Sequence, residues 1–101
     1  MRTTTVVFRF APEPSQEVLS TKAADYIART SPALSEFASG HNTSIDNLVS
    51  EDVNHETCLR TVVRSWPTVD VATAWVTASL NATWLTDEYP GVVISAQVDP
   101  E

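Results

Sequence analysis

The chain has 101 residues, enough for one domain around a modest apolar core and too few for two. Apolar residues make up 43% of it, which favours a folded domain over a disordered segment. Its 13 acidic residues against 6 lysines and arginines give a net charge of −7, which argues against binding a nucleic-acid backbone, because that task needs clustered cations.

The composition also indicates the cellular compartment. Cys58 is the single cysteine, so no internal disulfide can form and a reducing compartment is favoured. The first residues include no apolar region of signal-peptide length, and no apolar run approaches the roughly 20 residues that span a bilayer. We therefore expect a cytoplasmic protein that does not associate with membranes.

The first half of the chain is predicted to form one strand and two helices. Residues 3–10 alternate as a half-buried β-strand does, and the prolines that follow end the strand. Ser15 is a suitable N-cap for the first helix, which carries apolar residues at helical spacing. Ser31 followed by Pro32 is typical of a helix start, so a short second helix is predicted, ending at Gly40.

The second half is predicted to form two strands, a helix and a last strand. Residues 45–53 mix apolar and acidic side chains, which indicates an exposed edge strand. Residues 57–66 give the strongest strand pattern in the chain. Thr68 can cap a helix over residues 69–85, and residues 92–98 alternate as a half-buried strand.

This order predicts one α+β domain over residues 1–101 with the ferredoxin-like βαββαβ plan. In that plan a four-stranded antiparallel sheet has its two main helices on one face, and the first and third strands are central neighbours. The other face of the sheet carries no helix.

Side chains on the helix-free face are the predicted site. We assign the more apolar alternate positions of each strand to the helix side and the remaining positions to the open face. The open face predicted in this way carries Val7, Arg9, Cys58, Arg60, Val62, Arg64, Trp66, Val93, Ser95 and Gln97. Half of the chain's six lysines and arginines are therefore expected on one sheet surface.

Three interpretations of these arginines stay open. They can pair across strands with Asp46, Glu51 or Asp52, depending on the hairpin register, for about 0–1 kcal/mol per exposed pair. A second subunit can cover the face with its own sheet and enclose a semi-polar cavity. A monomeric groove for an anion or a peptide is the third interpretation.

The order of elements, the length, and the segment 64–67 (Arg-Ser-Trp-Pro) leading into residues 72–75 (Ala-Thr-Ala-Trp) resemble the dimeric α/β-barrel superfamily. The antibiotic-biosynthesis-monooxygenase-like domains are the nearest group. Members form homodimers by facing two ferredoxin-like sheets, and they include cofactor-independent monooxygenases and haem-degrading enzymes. A tryptophan at the end of the third strand is typical of them, and Trp66 matches it, in a structural or cavity-lining role.

Two departures from this group limit what the resemblance implies. The haem-degrading members use a histidine on the second helix and an asparagine on the first strand, and residues 69–85 and 3–10 have neither. Haem chemistry is therefore not expected, and no cofactor is predicted.

Metal and thiol chemistry have few candidates. His41 and His55 lie at opposite ends of the predicted edge strand, roughly 30 Å apart at about 3.3 Å per residue, so they cannot share an ion and no metal site is predicted. Cys58 is expected on the same strand face as Arg60. A nearby positive charge lowers a thiol pKa, so a reactive thiolate is conceivable, but a small half-buried apolar residue is the favoured interpretation of this cysteine.

Two functions from different classes follow. The first is a homodimer whose facing sheets bind a small anionic or carbonyl-bearing ligand, with monooxygenase-like chemistry implied by the resemblance alone. Its predicted ligand-binding residues are Arg9, Arg60, Arg64, Trp66, Ser95 and Gln97. The second is a non-catalytic acidic module that binds a basic protein partner through Asp46, Glu51, Asp52 and the acidic C-terminus.

Overall fold

A computed structural model describes residues 1–12, 14–81 and 92–100. Its elements in chain order are β1 (Arg2–Arg9), α1 (Gln16–Gly40), β2 (Leu48–Asn54), β3 (Leu59–Trp66), α2 (Val69–Leu80) and β4 (Val93–Val98). The strands form one sheet in the order β2-β3-β1-β4, with every neighbouring pair antiparallel. The predicted α+β class is confirmed, and this arrangement is consistent with ferredoxin-like topology.

Both helices begin where their capping residues predict. The Ser15 hydroxyl accepts a hydrogen bond from the backbone N–H of Val18, and the Thr68 hydroxyl accepts one from that of Val71. The prediction that α2 continues to residue 85 extends into residues 82–91, which lie outside the described residues.

Helix α1 is one continuous element, so the predicted break before Pro32 is wrong. Proline lacks the N–H of a helical hydrogen bond, but packing compensates for that loss here. Phe37, one and a half turns beyond Pro32, meets the rings of Trp66 and Trp75 edge-on, with centroids 5.5 and 5.1 Å away. The segment after Pro32 is therefore held on the same core as the segment before it.

Strand β2 is an exposed edge strand, as predicted. Its turn into β3 is built by Asn54, whose side-chain oxygen accepts hydrogen bonds from the backbone N–H groups of Glu56 and Thr57. Cys58 follows in a left-handed conformation, with φ of 55°. It precedes β3 and does not share a strand face with Arg60, so that prediction is wrong.

The core lies on one face of the sheet, and both helices contribute to it. Its members are Val6, Phe8 and Phe10 from the first strand segment, Leu19, Ala23 and Tyr26 from α1, Val62 and Trp66 from β3, and Ala72 and Trp75 from α2. The helix side of β1 is therefore the predicted one.

The helix side of β3 is the opposite of the predicted one. Val6 pairs with Val62 and Phe8 pairs with Arg60, so Arg60, Val62, Arg64 and Trp66 all point toward the helices. A one-residue difference in register reverses every side chain of a strand. Trp66 is 0% exposed. Burying this large side chain stabilises the fold more than burying Leu59 and Val63 on the other face would.

Candidate functional site

The structure divides the six predicted ligand-binding residues between two faces of the sheet. Arg60, Arg64 and Trp66 lie on the helix side. Arg9 pairs with Leu59 and Val93, and Ser95 and Gln97 lie along the same open face of β4. These six side chains therefore cannot line one common cavity.

On the open face, Gln97 has a structural partner. Its amide donates a 2.8 Å hydrogen bond to the carboxylate of Asp99, which also accepts from the hydroxyls of Thr5 and Thr3. Burial raises the pKa of Asp99, but these three hydrogen bonds outweigh burial and leave the pKa below its ordinary value. These hydrogen bonds connect the end of β4 to β1.

The structure forms a cavity of about 90 Å³ between α1 and the helix side of the sheet, and we call it the arginine cleft. Its apolar lining consists of Val6, Phe8, Ile27, Leu34, Val62 and Trp75. Its polar lining consists of two guanidinium groups and two hydroxyls, from Arg60, Arg64, Thr30 and Ser31. An apolar pocket with a few convergent polar groups is the usual form of a small-molecule site.

Arg60 is the most deeply buried cation of the cleft, with 4% of its surface exposed. One terminal nitrogen, Nη2, donates a 2.9 Å hydrogen bond to Oε2 of Glu51, and the guanidinium lies 5.0 Å from the centroid of the Phe8 ring. Its Nε is buried and has no hydrogen-bond partner among the residues that the structure describes. A buried donor left in this state costs about 1–3 kcal/mol.

Arg64 lines the same cleft two positions beyond Val62 on β3. Its Nη1 donates a 3.0 Å hydrogen bond to Oδ1 of Asn47. Burial lowers the pKa of Arg64, the charge of Arg60 lowers it further, and the carboxylate of Glu51 partly opposes both. The cleft thus holds two like charges and one carboxylate that acts on both.

Helix α1 forms the opposite wall through Ile27, Thr30, Ser31 and Leu34, which surround Pro32. Because Pro32 has no N–H, the usual helical hydrogen bond is missing in this turn. The Thr30 hydroxyl donates a 2.7 Å hydrogen bond to the carbonyl of the preceding turn. Its lone pairs remain available to a donor in the cleft.

The two tryptophans near the cleft differ in role. Trp66 donates from Nε1 to the hydroxyl of Thr4 at 3.0 Å, which makes it a satisfied core residue. Trp75 packs against Trp66 with ring centroids 5.3 Å apart and lines the cleft, and its buried Nε1 has no partner among the described residues. Of the two, Trp75 is therefore the better reporter of a bound ligand.

Tyr26 lies beneath the cleft, with its ring edge-on to Phe8 at 5.5 Å. Burial raises the pKa of Tyr26, and the charge of Arg60 opposes that shift in part. The phenol is therefore neutral at neutral pH and does not neutralise Arg60.

The acidic residues proposed for a basic partner do not form one surface. Glu51 points to the helix side, where it binds Arg60, whereas Asp52 pairs with Thr61 and points to the open face. Asp46 lies in the loop before β2. Within the described ranges, no group of three or more His, Cys, Asp or Glu side chains is arranged to hold a metal ion.

The sequence interpretation missed the cleft because it forms between elements far apart in the chain. The alternation of strand β3 could have indicated that Arg60 is buried. Trp66 lies on the same face of the strand, and a large aromatic residue favours the buried face.

Comparisons with protein-family models, with curated proteins and with solved structures give no match for this chain. Of the helices that the structure describes, none has the length and apolar character needed to cross a bilayer.

Proposed function

We propose that this protein is a homodimeric binding module whose arginine cleft takes a small anionic ligand with an apolar body. The observation that carries the proposal is the buried Nε of Arg60, a charged donor without a partner among the described residues. Buried polar groups are normally satisfied, and an unsatisfied one on a residue that lines a cavity is explained by a ligand that accepts its hydrogen bond. The proposal assigns binding and no catalytic step.

The charge of the cleft supports an anion. Among the described residues, two guanidinium groups and one carboxylate leave the cleft with one positive charge in excess, in a chain whose net charge is −7. A buried charge without a counter-charge costs several kcal/mol, so an incoming carboxylate relieves a cost already present in the free protein. Arginine binds carboxylates with paired, charge-assisted hydrogen bonds.

The size of the cleft restricts the ligand. A cavity of 150 Å³ holds the six heavy atoms of benzene in another protein, so about 90 Å³ encloses roughly four heavy atoms, and the rest of a short branched acid extends out of the cleft. We therefore use isovalerate as the probe ligand. A ligand this small is expected to bind with a Kd of about 1 mM, a range that NMR titration measures well.

The experiment follows the indole N–H resonances of the three tryptophans in ¹⁵N-labelled protein. Isovalerate should shift the Trp75 resonance, identified from a Trp75→Phe variant, and the neutral amide isovaleramide should bind at least about tenfold more weakly. Arg60→Met should abolish binding, and Arg9→Met, the same change on the open face, should leave it intact. Equal affinities for acid and amide, or binding that survives Arg60→Met, would contradict the proposal.

The homodimer part of the proposal is supported by the open face. The charged side chains that the described residues place there are Arg9, Asp52 and Asp99, a net charge of minus one, and the centre carries Val7, Thr61 and Val63. Two acidic subunits repel each other, so a nearly uncharged face is the surface through which a second copy can approach.

The area of the open face indicates how stable that dimer is. Four strands about 4.8 Å apart and roughly 23 Å long give about 450 Å² per subunit, or on the order of 900 Å² per dimer. This is below the roughly 1,200 Å² of stable specific interfaces and in the range of weak ones, so the dimer should dissociate on dilution.

Light scattering over a range of concentrations tests the dimer. We expect Val7→Lys to yield monomers and Val49→Lys, on the edge strand, to behave as wild type. A wild-type chain that stays monomeric at high concentration overturns the homodimer, and a dimer lost only with Val49→Lys would indicate pairing between sheet edges.

A further inference from the structure

The charge of the arginine cleft is adjustable, because a single carboxylate contributes its negative part. Glu51 lies on β2 opposite Val62 and reaches Arg60 across the strands, with 35% of its side chain exposed. It contacts Nη2 and leaves Nε of the same guanidinium without a partner among the described residues. The Nε edge of a guanidinium is completed by Nη2, which has two N–H groups, so a ligand carboxylate can accept from Nε while Glu51 keeps its bond to Nη2.

We propose that Glu51 determines the ligand's charge: it leaves the cleft with one excess positive charge and so selects monocarboxylates over dicarboxylates. This inference rests on the proposed function of the cleft. A monoanion entering the cleft brings its charge to zero. A dianion with the same number of carbons brings it to minus one, in surroundings that are mostly apolar and therefore stabilise a surplus charge poorly.

Two substitutions change this charge in opposite directions while nearly preserving shape. Glu51→Gln removes the carboxylate and leaves an amide oxygen that can still accept from Arg60, so the excess rises from one to two. Asn47→Asp adds a carboxylate where Asn47 already accepts from Arg64 at 3.0 Å, so the excess falls to zero.

The chain offers a matched control for Glu51→Gln. Asp52 is the next residue on β2 and carries the same charge, but it pairs with Thr61 and lies on the open face. Asp52→Asn therefore changes the net charge of the protein by the same amount without changing the charge of the cleft.

The test compares isovalerate with methylsuccinate, in which one methyl group of isovalerate is replaced by a carboxylate. Affinities come from the Trp75 indole resonance in each variant, and the spectrum of each variant also reports its folding. We expect wild type to favour isovalerate by about tenfold or more, the size of effect that one buried charge pair has on binding. Glu51→Gln should reverse or abolish this preference, Asn47→Asp should weaken the binding of both acids, and Asp52→Asn should keep the wild-type ratio.

The outcomes separate this inference from the function on which it rests. If wild type binds isovalerate and the ratio of the two acids is the same in Glu51→Gln and Asn47→Asp, Glu51 does not determine ligand charge and only the inference is overturned. If neither acid shifts the Trp75 resonance, the proposed function fails as well. Because one variant alters Glu51 on β2 and the other alters Asn47 in the loop before it, one well-folded variant suffices for a decision.

Discussion

Replacing Arg60 by methionine should remove ligand binding with little effect on the stability of the fold. In the part of the chain that the structure describes, Arg60 has one charged partner, Glu51, at 2.9 Å, and that partner is partly exposed. At an effective dielectric constant of about 20, a pair at this distance gains about 6 kcal/mol. The gain is offset by several kcal/mol of lost hydration for the buried ion, and by about 1–3 kcal/mol for the unpartnered Nε.

Methionine keeps most of the packing contacts through which the Arg60 side chain stabilises the fold. Its unbranched side chain fills the same space and retains a contact with the Phe8 ring, for about 0.3–1.5 kcal/mol. Glu51 loses its partner but can turn toward water. We therefore expect the free energy of unfolding to change by between about −1 and +2 kcal/mol, where 1 kcal/mol corresponds to a Tm shift of about 4–8 °C in a chain of this size.

Urea denaturation of Arg60→Met measures this change, with an unchanged m-value required for the comparison. Arg29→Met is the control, because Arg29 is exposed and its ion pair with Asp25 at 4.0 Å is expected to contribute under about 0.5 kcal/mol. A loss of about 3 kcal/mol or more in Arg60→Met is the penalty for breaking a structural buried ion pair. That result would refute the reasoning, because Arg60 would then be needed by the fold itself.

Three further changes test the structure away from the cleft. Gly40→Ala should stabilise the protein by about 0.5–1 kcal/mol in urea denaturation, because a Cβ there meets no atom within 4 Å and alanine favours the helix; a loss of stability would contradict this. Thr4→Val should cost about 1–3 kcal/mol in the same assay, because the Nε1 of the fully buried Trp66 loses its acceptor; an unchanged Tm would show that another group accepts that bond. Asp99→Asn should destabilise at neutral pH, and its difference from wild type should vanish as the pH falls well below 3.8, because a lowered pKa in the folded state stabilises only while the carboxylate is ionised; a difference that is independent of pH would contradict this.

The sequence predicted the fold well where local chemistry decides the outcome. Alternation identified the strands, and Ser15 and Thr68 marked the first turns of both helices, since a hydroxyl that accepts from the exposed N–H groups acts within a few residues. Pro32 was misjudged because its effect depends on Phe37, whose contacts with two tryptophans come from distant elements.

The candidate site was less predictable because the two faces of strand β3 favour burial almost equally. One face has Leu59, Thr61 and Val63, and the other has two arginines beside Val62 and Trp66. Apolarity summed along the strand favours the first face, but burial of one tryptophan is sufficient to select the second. The consequence is large, because the choice of the buried face decides whether both arginines lie on an open surface or in the cleft.

This balance bears on why the arginines are present at all. A strand selected only for stability would place apolar side chains beside Val62, because they fill the space under α1 without the hydration cost that Arg60 and Arg64 carry. The cost is largest for a group that remains unsatisfied, and the Nε of Arg60 is such a group among the described residues. Local departures from the most stable choice of residue are expected where a site needs them, so an unsatisfied buried charge beside a cleft indicates where a bound ligand would stabilise the fold.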